Sequence, residues 1–259
     1  MPQVTSKDGT TIAYEVQGTG PPLVFVWGAM GLMESPFAKP MYAELAKDFT
    51  VYAYDRRGRG KSGDTKPFAM EREIEDLAAM VQAAGGEPYV VAVSSGAALA
   101  LEAAAAHVPM KMLAAHEPPY MVGEHMATFD KDYERNVTKL VADGKRSEAV
   151  SYFMRIVGVP KPAIWVMRLM PFWKQMVAVA HTLPYDAAAM NGFTPPEERL
   201  REIRVPTVVL VGTATAASLK AAAPEVARLV PGATLRELPK QNHGVKPAAL
   251  RAALVEVFR

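Results

Sequence analysis

The sequence contains no cysteine, which excludes disulfide bonds, catalytic thiolates and thiolate metal sites. It has almost no excess of one charge: 29 basic and 27 acidic residues leave a formal net charge of +2. This balance argues against a nucleic-acid-binding or membrane-surface protein. No run approaches the ~20 apolar residues that cross a bilayer, and residues 1–11 are too polar for a signal peptide. We therefore expect a cytoplasmic protein, monomeric or homodimeric, with neither nucleic acid nor membrane as a partner.

Half of the 259 residues are hydrophobic and 22% are charged, as in ordinary globular proteins. Short apolar runs, typical of buried strands, alternate with helical patterns. Strands are predicted at residues 10–17, 23–27, 50–54, 89–93, 112–115, 205–211 and 234–238. The main helices are predicted at residues 40–48, 71–84, directly after 94, 219–229 and 247–258. This alternation predicts an α/β fold, a doubly wound, mostly parallel sheet with helices on both faces.

Residues 120–201 interrupt this alternation. Their periodicity is helical throughout, and methionine and aromatic residues are dense. We interpret this segment, called the cap segment below, as a helical insertion over the sheet. The chain then divides into a core of residues 1–119 and 202–259 and a cap of residues 120–201. The methionines suit a flexible apolar pocket, and they suit plain packing between helices equally well.

The most informative motif lies where the apolar run at 89–93 passes into a helix without a linker. The segment Ala92-Val93-Ser94-Ser95-Gly96 matches the nucleophile elbow G-x-S-x-G, with alanine in place of the first glycine. Small residues two positions either side of Ser94 let the strand and helix backbones approach each other. The corner residue is then strained and its side chain points outward. A Ser-Ser-Gly turn also occurs in α/β proteins without this chemistry, so the motif needs partners.

A base near Ser94 must be histidine to work near neutral pH without a large perturbation. In a parallel sheet, the loops after the strands all meet at the edge that holds Ser94. His243 lies in such a loop, after the last strand, and is the candidate base. His116 also ends a strand, but we expect its ring to point to the opposite face. The remaining histidines end a helix or lie in the cap segment, and they are His107, His125 and His181.

An acid must orient the imidazole and stabilise its charged form. The turn at residues 212–218, where such an acid commonly lies, contains no carboxylate. Glu117, in the turn after the strand that follows the nucleophile, can reach the same imidazole. We therefore predict Glu117 as the orienting acid, against the alternative of a solvated loop carboxylate.

An oxyanion hole requires backbone N–H groups directed at the developing negative charge. Ser95, at the start of the elbow helix, supplies one donor. The second is expected from Ala29, in the glycine-containing break at residues 28–31. Side chains beside this loop are the candidates for the pocket wall, namely Trp27, Met30 and Met33.

Two other patterns in the loop after residue 54 imitate phosphate-binding motifs. Residues 58–63 read G-x-G-x-x-G, but a loop follows Gly63 where a dinucleotide-binding motif has a helix. Residues 60–62 read Gly-Lys-Ser, but the earlier glycine of a P-loop is missing. We therefore assign no nucleotide site. The basic side chains of this turn are expected to be exposed and solvated, namely Arg56, Arg57, Arg59 and Lys61.

Together these residues make the chain resemble the α/β-hydrolase superfamily, over nearly its whole length. The order Ser, Glu, His agrees with that family, and members with the acid after the sixth strand are known. The resemblance implies a helical cap between the sixth and seventh core strands. The matching segments are Asp8-Gly9, residues 27–31, Asp55-Arg56-Arg57-Gly58-x-Gly60-x-Ser62, the elbow, Glu117-Pro118-Pro119, and Val205-Pro206-Thr207 leading to His243.

The sequence departs from the family at two places. Trp27 stands where the family usually has histidine, so the oxyanion loop differs and the indole can form a pocket wall. Ala92 replaces the first glycine of the elbow, which adds only a methyl group.

The resulting hypothesis is a serine hydrolase that cleaves an apolar ester or lactone through an acyl-enzyme on Ser94. Neither a metal nor an organic cofactor is required. Two alternatives stay open on the same scaffold. One is a cofactor-independent lyase or cyclase acting on C–C bonds. Trp27 and the unusual oxyanion loop are the features that support this alternative. The other is a non-catalytic receptor for a small ligand.

Overall fold

A computed structural model describes residues 1–258 and shows one sheet of eight strands. The strands are β1 Gln3–Thr5, β2 Thr11–Gln17, β3 Pro22–Val26, β4 Thr50–Tyr54, β5 Tyr89–Val93, β6 Met112–His116, β7 Thr207–Gly212 and β8 Thr234–Leu238. Their order across the sheet is β1-β2-β4-β3-β5-β6-β7-β8. β2 runs antiparallel to β1 and β4, and the strands from β4 to β8 are mutually parallel.

Helices fill most of the connections. They are α1 Ala38–Leu45, α2 Met70–Ala83, α3 Ser95–Ala105, α4 Glu124–Thr128, α5 Tyr133–Ala142, α6 Arg146–Ile156, α7 Lys161–Met167, α8 Pro171–Val179, α9 Leu183–Ala189, α10 Glu197–Arg201, α11 Ala217–Leu229 and α12 Pro247–Val257. Short 3₁₀ turns cover Ala180–Thr182 and Asn191–Phe193. Residues 117–206, all of which the structure describes, contain helices and loops but no strand.

Two apolar layers cover the two faces of the sheet. Alternate residues of β3 belong to different layers: Val24 and Val26 pack with α2, α3 and α11, whereas Leu23 and Phe25 pack with α1 and α12. This alternation follows from the two-residue period of a strand. Every residue of β5 is buried, as expected for a strand covered on both faces. The predicted doubly wound α/β fold is therefore confirmed.

The sequence missed β1, whose three residues are too few to show an alternating pattern. It pairs with β2 at the antiparallel edge and makes β6 the sixth strand, directly before the cap segment. The division into a core (1–119 and 202–259) and a cap (120–201) stays a prediction.

The sheet positions the site because its parallel strands end at one edge. Val93, the last residue of β5, pairs with His116, the last residue of β6. His116 in turn pairs with Leu210 of β7. The loops that follow these strands therefore emerge side by side, which brings together residues far apart in the sequence.

Candidate active site

Ser94 occupies a strained corner between β5 and α3. Its backbone has φ 56° and ψ −128°, a conformation that costs a residue with a side chain of order 1–3 kcal/mol. The Ser94 N–H donates to the carbonyl of His116 at 3.0 Å, and the Ser94 carbonyl accepts from Ala97 at 2.8 Å in the first turn of α3. The backbone therefore anchors the corner on both sides.

Close backbone packing requires a small residue at Gly96. A Cβ atom built there would lie 2.5 Å from the carbonyl oxygen of Trp27. Ala92, at the position of the family's first glycine, is fully buried without disturbing the strand. The local geometry is that of a nucleophile elbow.

Glu117 and His243 form a direct contact at the same edge of the sheet. The Nδ1 atom of His243 lies 2.6 Å from Oε2 of Glu117. The carboxylate is completely buried and also accepts from the Gly212 N–H at 2.8 Å and the Thr215 hydroxyl at 3.0 Å. The His243 side chain is 45% exposed, so one side of the ring stays accessible while the other is held.

The contacts of Glu117 keep its charge in a buried position. Burial by itself would raise the pKa of this carboxyl. The hydrogen bonds from His243 and from the Gly212 N–H outweigh burial and hold the pKa below its usual value. Glu117 is therefore ionised at neutral pH, as a group that stabilises an imidazolium must be.

Gly212 and Thr215 belong to the turn at residues 212–218, which contains no carboxylate. The turn contributes donors to Glu117 in place of an acid. These contacts follow from the pairing of β6 with β7, which places the turn after β7 directly beside Glu117 at the end of β6.

The structure corrects the expectation for His116. Its ring does not point away from the site: Nε2 lies 3.7 Å from Oε1 of Glu117, and the ring centroid lies 6.2 Å from that of His243. His116 is completely buried, and neither ring nitrogen has a hydrogen-bond partner within residues 1–258. Burial lowers its pKa to about 4, although the Glu117 charge opposes the shift. His116 is therefore neutral at pH 7.

This depressed pKa predicts an acid-dependent loss of stability. An unfolded histidine has a pKa of about 6.5, so the unfolded chain binds more protons than the folded chain between pH 6.5 and 4. Stability therefore falls as the pH decreases through this window, by about 2 kcal/mol between pH 7 and 5. We expect His116→Leu, which removes the titrating group, to lose less stability over that interval. Urea unfolding at the two pH values measures the difference, and equal losses in both proteins would contradict the prediction.

The loop after β3 approaches the elbow closely. A Cβ atom built at Gly28 would lie 2.8 Å from Cβ of Ser94, so only glycine fits there. The Gly28 carbonyl accepts from the Gly31 N–H at 3.1 Å, which closes the turn around Ala29. Met30 has φ 55°, in the left-handed region. This tight turn carries Ala29 to the cavity next to Ser94.

Ser94 and His243 line one cavity of about 600 Å³. The same cavity is bordered by Ala29, by Trp27 and by apolar cap-segment side chains such as Phe153 and Met154. Among residues 1–258 no hydrogen bond joins the Ser94 hydroxyl to His243. In such pairs this bond commonly tightens only when substrate binds.

A second, apolar cavity of about 360 Å³ adjoins the first, and the two share Trp27, Ala29, Phe37, Phe153 and Met154. Its other lining residues include Met30, Leu32, Met167, Phe172 and Met176.

Of the three pocket candidates from the sequence, Trp27 lines both cavities and Met30 lines the second. Met33 lines neither: it is buried in the core layer with α1. The buried carboxylate of Asp55 accepts a 2.7 Å hydrogen bond from the Met33 N–H, which fixes this residue below the loop. Placing Met33 in the pocket was therefore wrong.

The expectation of an exposed basic turn was also wrong for three of its four residues. Arg56, Arg57 and Arg59 are each at most 1% exposed, whereas Lys61 is exposed. All three arginines pair with buried carboxylates: Arg56 with Glu73 and Asp186, Arg57 with Asp76, and Arg59 with Asp186. Burial of these charges depends on acids supplied by other segments, which the local pattern of the turn does not reveal.

Residues 1–258 contain no group of three or more acidic, histidine or cysteine side chains placed to hold a metal ion. In the same part of the chain, none of the helices has the length and apolar character needed to cross a bilayer.

Comparisons with known proteins agree with this fold. The model of an alpha/beta hydrolase family matches residues 22–255. An alpha/beta hydrolase of known structure from Sphaerobacter thermophilus is 46% identical, with a TM-score of 0.90 and 100% of both chains covered. An esterase structure from Thermogutta terrifontis, at 23% identity and a TM-score of 0.72 over 100% of this chain and 97% of its own, shares the fold. A non-heme haloperoxidase from Rhodococcus erythropolis is 27% identical over 95% of this chain and 93% of its own length. With its fold, its elbow and its family match in agreement, the chain belongs to the α/β hydrolase family.

Proposed function

We propose that this enzyme is a serine hydrolase that cleaves an apolar ester or lactone through an acyl-enzyme on Ser94. The contact between His243 Nδ1 and the buried Glu117 carboxylate carries the proposal, because it leaves Nε2 free to accept a proton. Ser94, at the strained corner between β5 and α3, lines the same cavity as His243.

In the proposed first half-reaction, the Ser94 oxygen attacks the carbonyl carbon while His243 Nε2 takes the hydroxyl proton. The N–H groups of Ser95 and Ala29 stabilise the oxyanion. The tetrahedral intermediate then collapses, and His243 gives its proton to the leaving alcohol. In the second half, water attacks the acyl-enzyme and His243 accepts a water proton. The second tetrahedral intermediate then collapses, the acid is released, and His243 returns the proton to the Ser94 oxygen.

The cavity lining supports an apolar substrate. Apolar side chains form most of the lining of both cavities, with the charged Lys246 at the border of the first. The second cavity has no charged lining residue, and its polar members are Gln175 and Ser35. A charged group would lose its hydration on entering the second cavity without gaining a charged partner. Methionine side chains can adapt to apolar groups of different shape.

Labelling with an alkyl fluorophosphonate tests the nucleophile. We expect stoichiometric labelling, with the added mass on the peptide that contains Ser94. A lyase on this scaffold would be labelled but would not turn over p-nitrophenyl esters, and a ligand receptor would show neither property. Labelling of a different serine, or none, would overturn the proposal.

A matched pair of esters tests the substrate class. p-Nitrophenyl hexanoate and mono-p-nitrophenyl adipate have six-carbon acyl groups and differ in the terminal carboxylate. We expect kcat/KM to be at least about tenfold higher for hexanoate, because the adipate carboxylate would find no charged partner in the second, apolar cavity. Equal values for the two esters would contradict the apolar assignment.

A further inference from the structure

A buried group of charged and polar side chains joins the cap segment to the two loops that carry the proposed oxyanion donors. Asp186, in α9, lies at its centre, and every member is at most 1% exposed. We call it the Asp186 cluster, and its members are Arg56, Arg59, Glu73, Ser95, Thr182 and Asp186.

Asp186 contacts three of these side chains directly. Its Oδ1 atom accepts hydrogen bonds from Arg56 at 2.9 Å and from the Ser95 hydroxyl at 2.7 Å. Arg59 donates to both carboxylate oxygens at 2.9 Å. Glu73 holds the other edge of the Arg56 guanidinium through bonds of 2.8 and 2.7 Å. Two positive charges are thus balanced by two negative charges inside the protein.

One branch of the cluster reaches the peptide bond that bears the Ala29 N–H. Arg59 donates to the Gly28 carbonyl at 3.1 Å, and Arg56 donates to the Trp27 carbonyl at 3.4 Å. In a trans peptide the C=O and N–H point in opposite directions. Holding the Gly28 carbonyl against Arg59 therefore fixes the direction of the Ala29 N–H. The nearby positive charge also polarises this peptide and makes its N–H a stronger donor.

The other branch reaches the second donor. The Ser95 hydroxyl donates to Asp186, and Arg56 lies 3.3 Å from the same hydroxyl. Ser95 is the first residue of α3, so this contact orients the residue that we propose as the other oxyanion donor. A single carboxylate of the cap segment is therefore connected to both donors, one through Ser95 and the other through Arg59.

The charge of Asp186 is essential to this arrangement. Burial would raise its pKa, but the Arg59 and Arg56 charges outweigh burial and hold the pKa below its ordinary value. Without that charge, the two guanidinium groups would repel each other in a site that excludes water. Arg59 would then lose its anchor beside the Gly28 carbonyl.

We propose that Asp186 is a positioning residue for the oxyanion hole. Asp186 couples the packing of the cap segment on the core to the alignment of the Ser95 and Ala29 N–H groups. The proposal rests on the proposed serine-hydrolase function. In this role, Asp186 stabilises the transition state and contributes little to binding of the ground-state ester.

The test compares Asp186→Asn with Asp76→Asn. Asp76 is as deeply buried and pairs with Arg57 through two bonds of 2.7 Å, but within residues 1–258 it forms no hydrogen bond to the elbow or the oxyanion loop. We expect both variants to lower Tm. Only Asp186→Asn should lower kcat for p-nitrophenyl hexanoate, by about 10²–10³-fold, with KM changed less than about threefold.

Inhibition by a compound that forms a tetrahedral adduct with serine gives a second measurement, which does not depend on protein stability. Phenylboronic acid forms such an adduct with a nucleophilic serine, and its oxygen occupies the position of the oxyanion. We expect its Ki to weaken in Asp186→Asn by about the same factor as kcat/KM and to stay unchanged in Asp76→Asn.

Ser95→Ala keeps all four charges and provides a variant that folds if Asp186→Asn does not. It should lower kcat and weaken the boronate Ki in parallel, by roughly tenfold. Unchanged kcat in a folded Asp186→Asn protein or in Ser95→Ala, or an equal loss in Asp76→Asn, would overturn the inference. An inactive wild-type protein would instead refute the proposed function, so the two failures are distinguishable.

Discussion

Replacing Ser94 by alanine is expected to lower kcat for p-nitrophenyl hexanoate by about 10⁴–10⁶-fold. The reason is that the hydroxyl forms the covalent bond in the proposed reaction, and the oxyanion donors alone leave only a small residual rate. The Ser94 hydroxyl borders the cavity and forms no hydrogen bond within residues 1–258, and alanine keeps the Cβ atom, so Tm should not fall. Stopped assays on the purified variant, with circular dichroism as the folding check, measure both quantities.

Ser151→Ala is a suitable control for this substitution. Ser151 lies on α6 and donates to the Ser147 carbonyl at 2.9 Å, and it does not line the cavity that contains Ser94 and His243. It should retain the wild-type kcat and the fluorophosphonate label. Ester turnover by Ser94→Ala at more than about one hundredth of the wild-type rate would show that another group supplies the nucleophile.

Replacing Glu117 by glutamine is expected to lower kcat by about 10⁴-fold. A carboxylate accepts the proton on Nδ1 of His243 and leaves Nε2 free to act as a base. A glutamine amide can donate to Nδ1 and so favour the other tautomer, in which Nε2 already carries a proton. It also removes the charge that stabilises the imidazolium.

The pH dependence of kcat separates this role from a purely structural one. Hydrogen bonds hold the pKa of Glu117 below its usual value, so the carboxylate stays ionised throughout the range in which a histidine titrates. The wild-type profile should therefore contain no limb from Glu117 itself. In Glu117→Gln, kcat should stay low at every pH at which the protein remains folded, because no change of pH restores the counter-charge of the imidazolium.

Glu102→Gln is the matched control for Glu117→Gln. Glu102 is a largely buried glutamate of α3 that pairs with Arg199 at 2.7 and 2.8 Å, and neither residue lines the cavity that contains Ser94 and His243. Its substitution should reduce Tm and leave kcat within about threefold of the wild type. If Glu117→Gln behaved in the same way as this control, Glu117 would be a structural residue only.

The elbow and the alternating strands were predictable because they depend on short-range patterns. A run of β-branched residues joined directly to an alanine-rich helix specifies a strand, a corner and a helix within about fifteen residues. The spatial meeting of Glu117 and His243 was predictable for a different reason. Parallel strands end at the same edge, so strand-end loops are neighbours even when 126 residues separate them.

Residues whose environment depends on distant segments were not predictable in this way. The basic turn looked solvated because its own segment contains too few acids to neutralise it. Its partners arrive from α2 and, 127 residues after Arg59, from α9. Asp186 did leave a signal: it is the single charged residue between residues 182 and 193. An isolated acid in an apolar helix indicates a buried, paired carboxylate.

The sequence by itself determined the α/β fold, the corner at Ser94 and the loops that bring Glu117 and His243 together. These follow from local periodicity and from the geometry of a parallel sheet. Only the tertiary structure decided that the His116 ring lies next to the Glu117 carboxylate, that Met33 belongs to the core, and that three arginines are buried. Charge burial and side-chain direction depend on atoms contributed by distant parts of the chain, and these become neighbours only when the protein has folded.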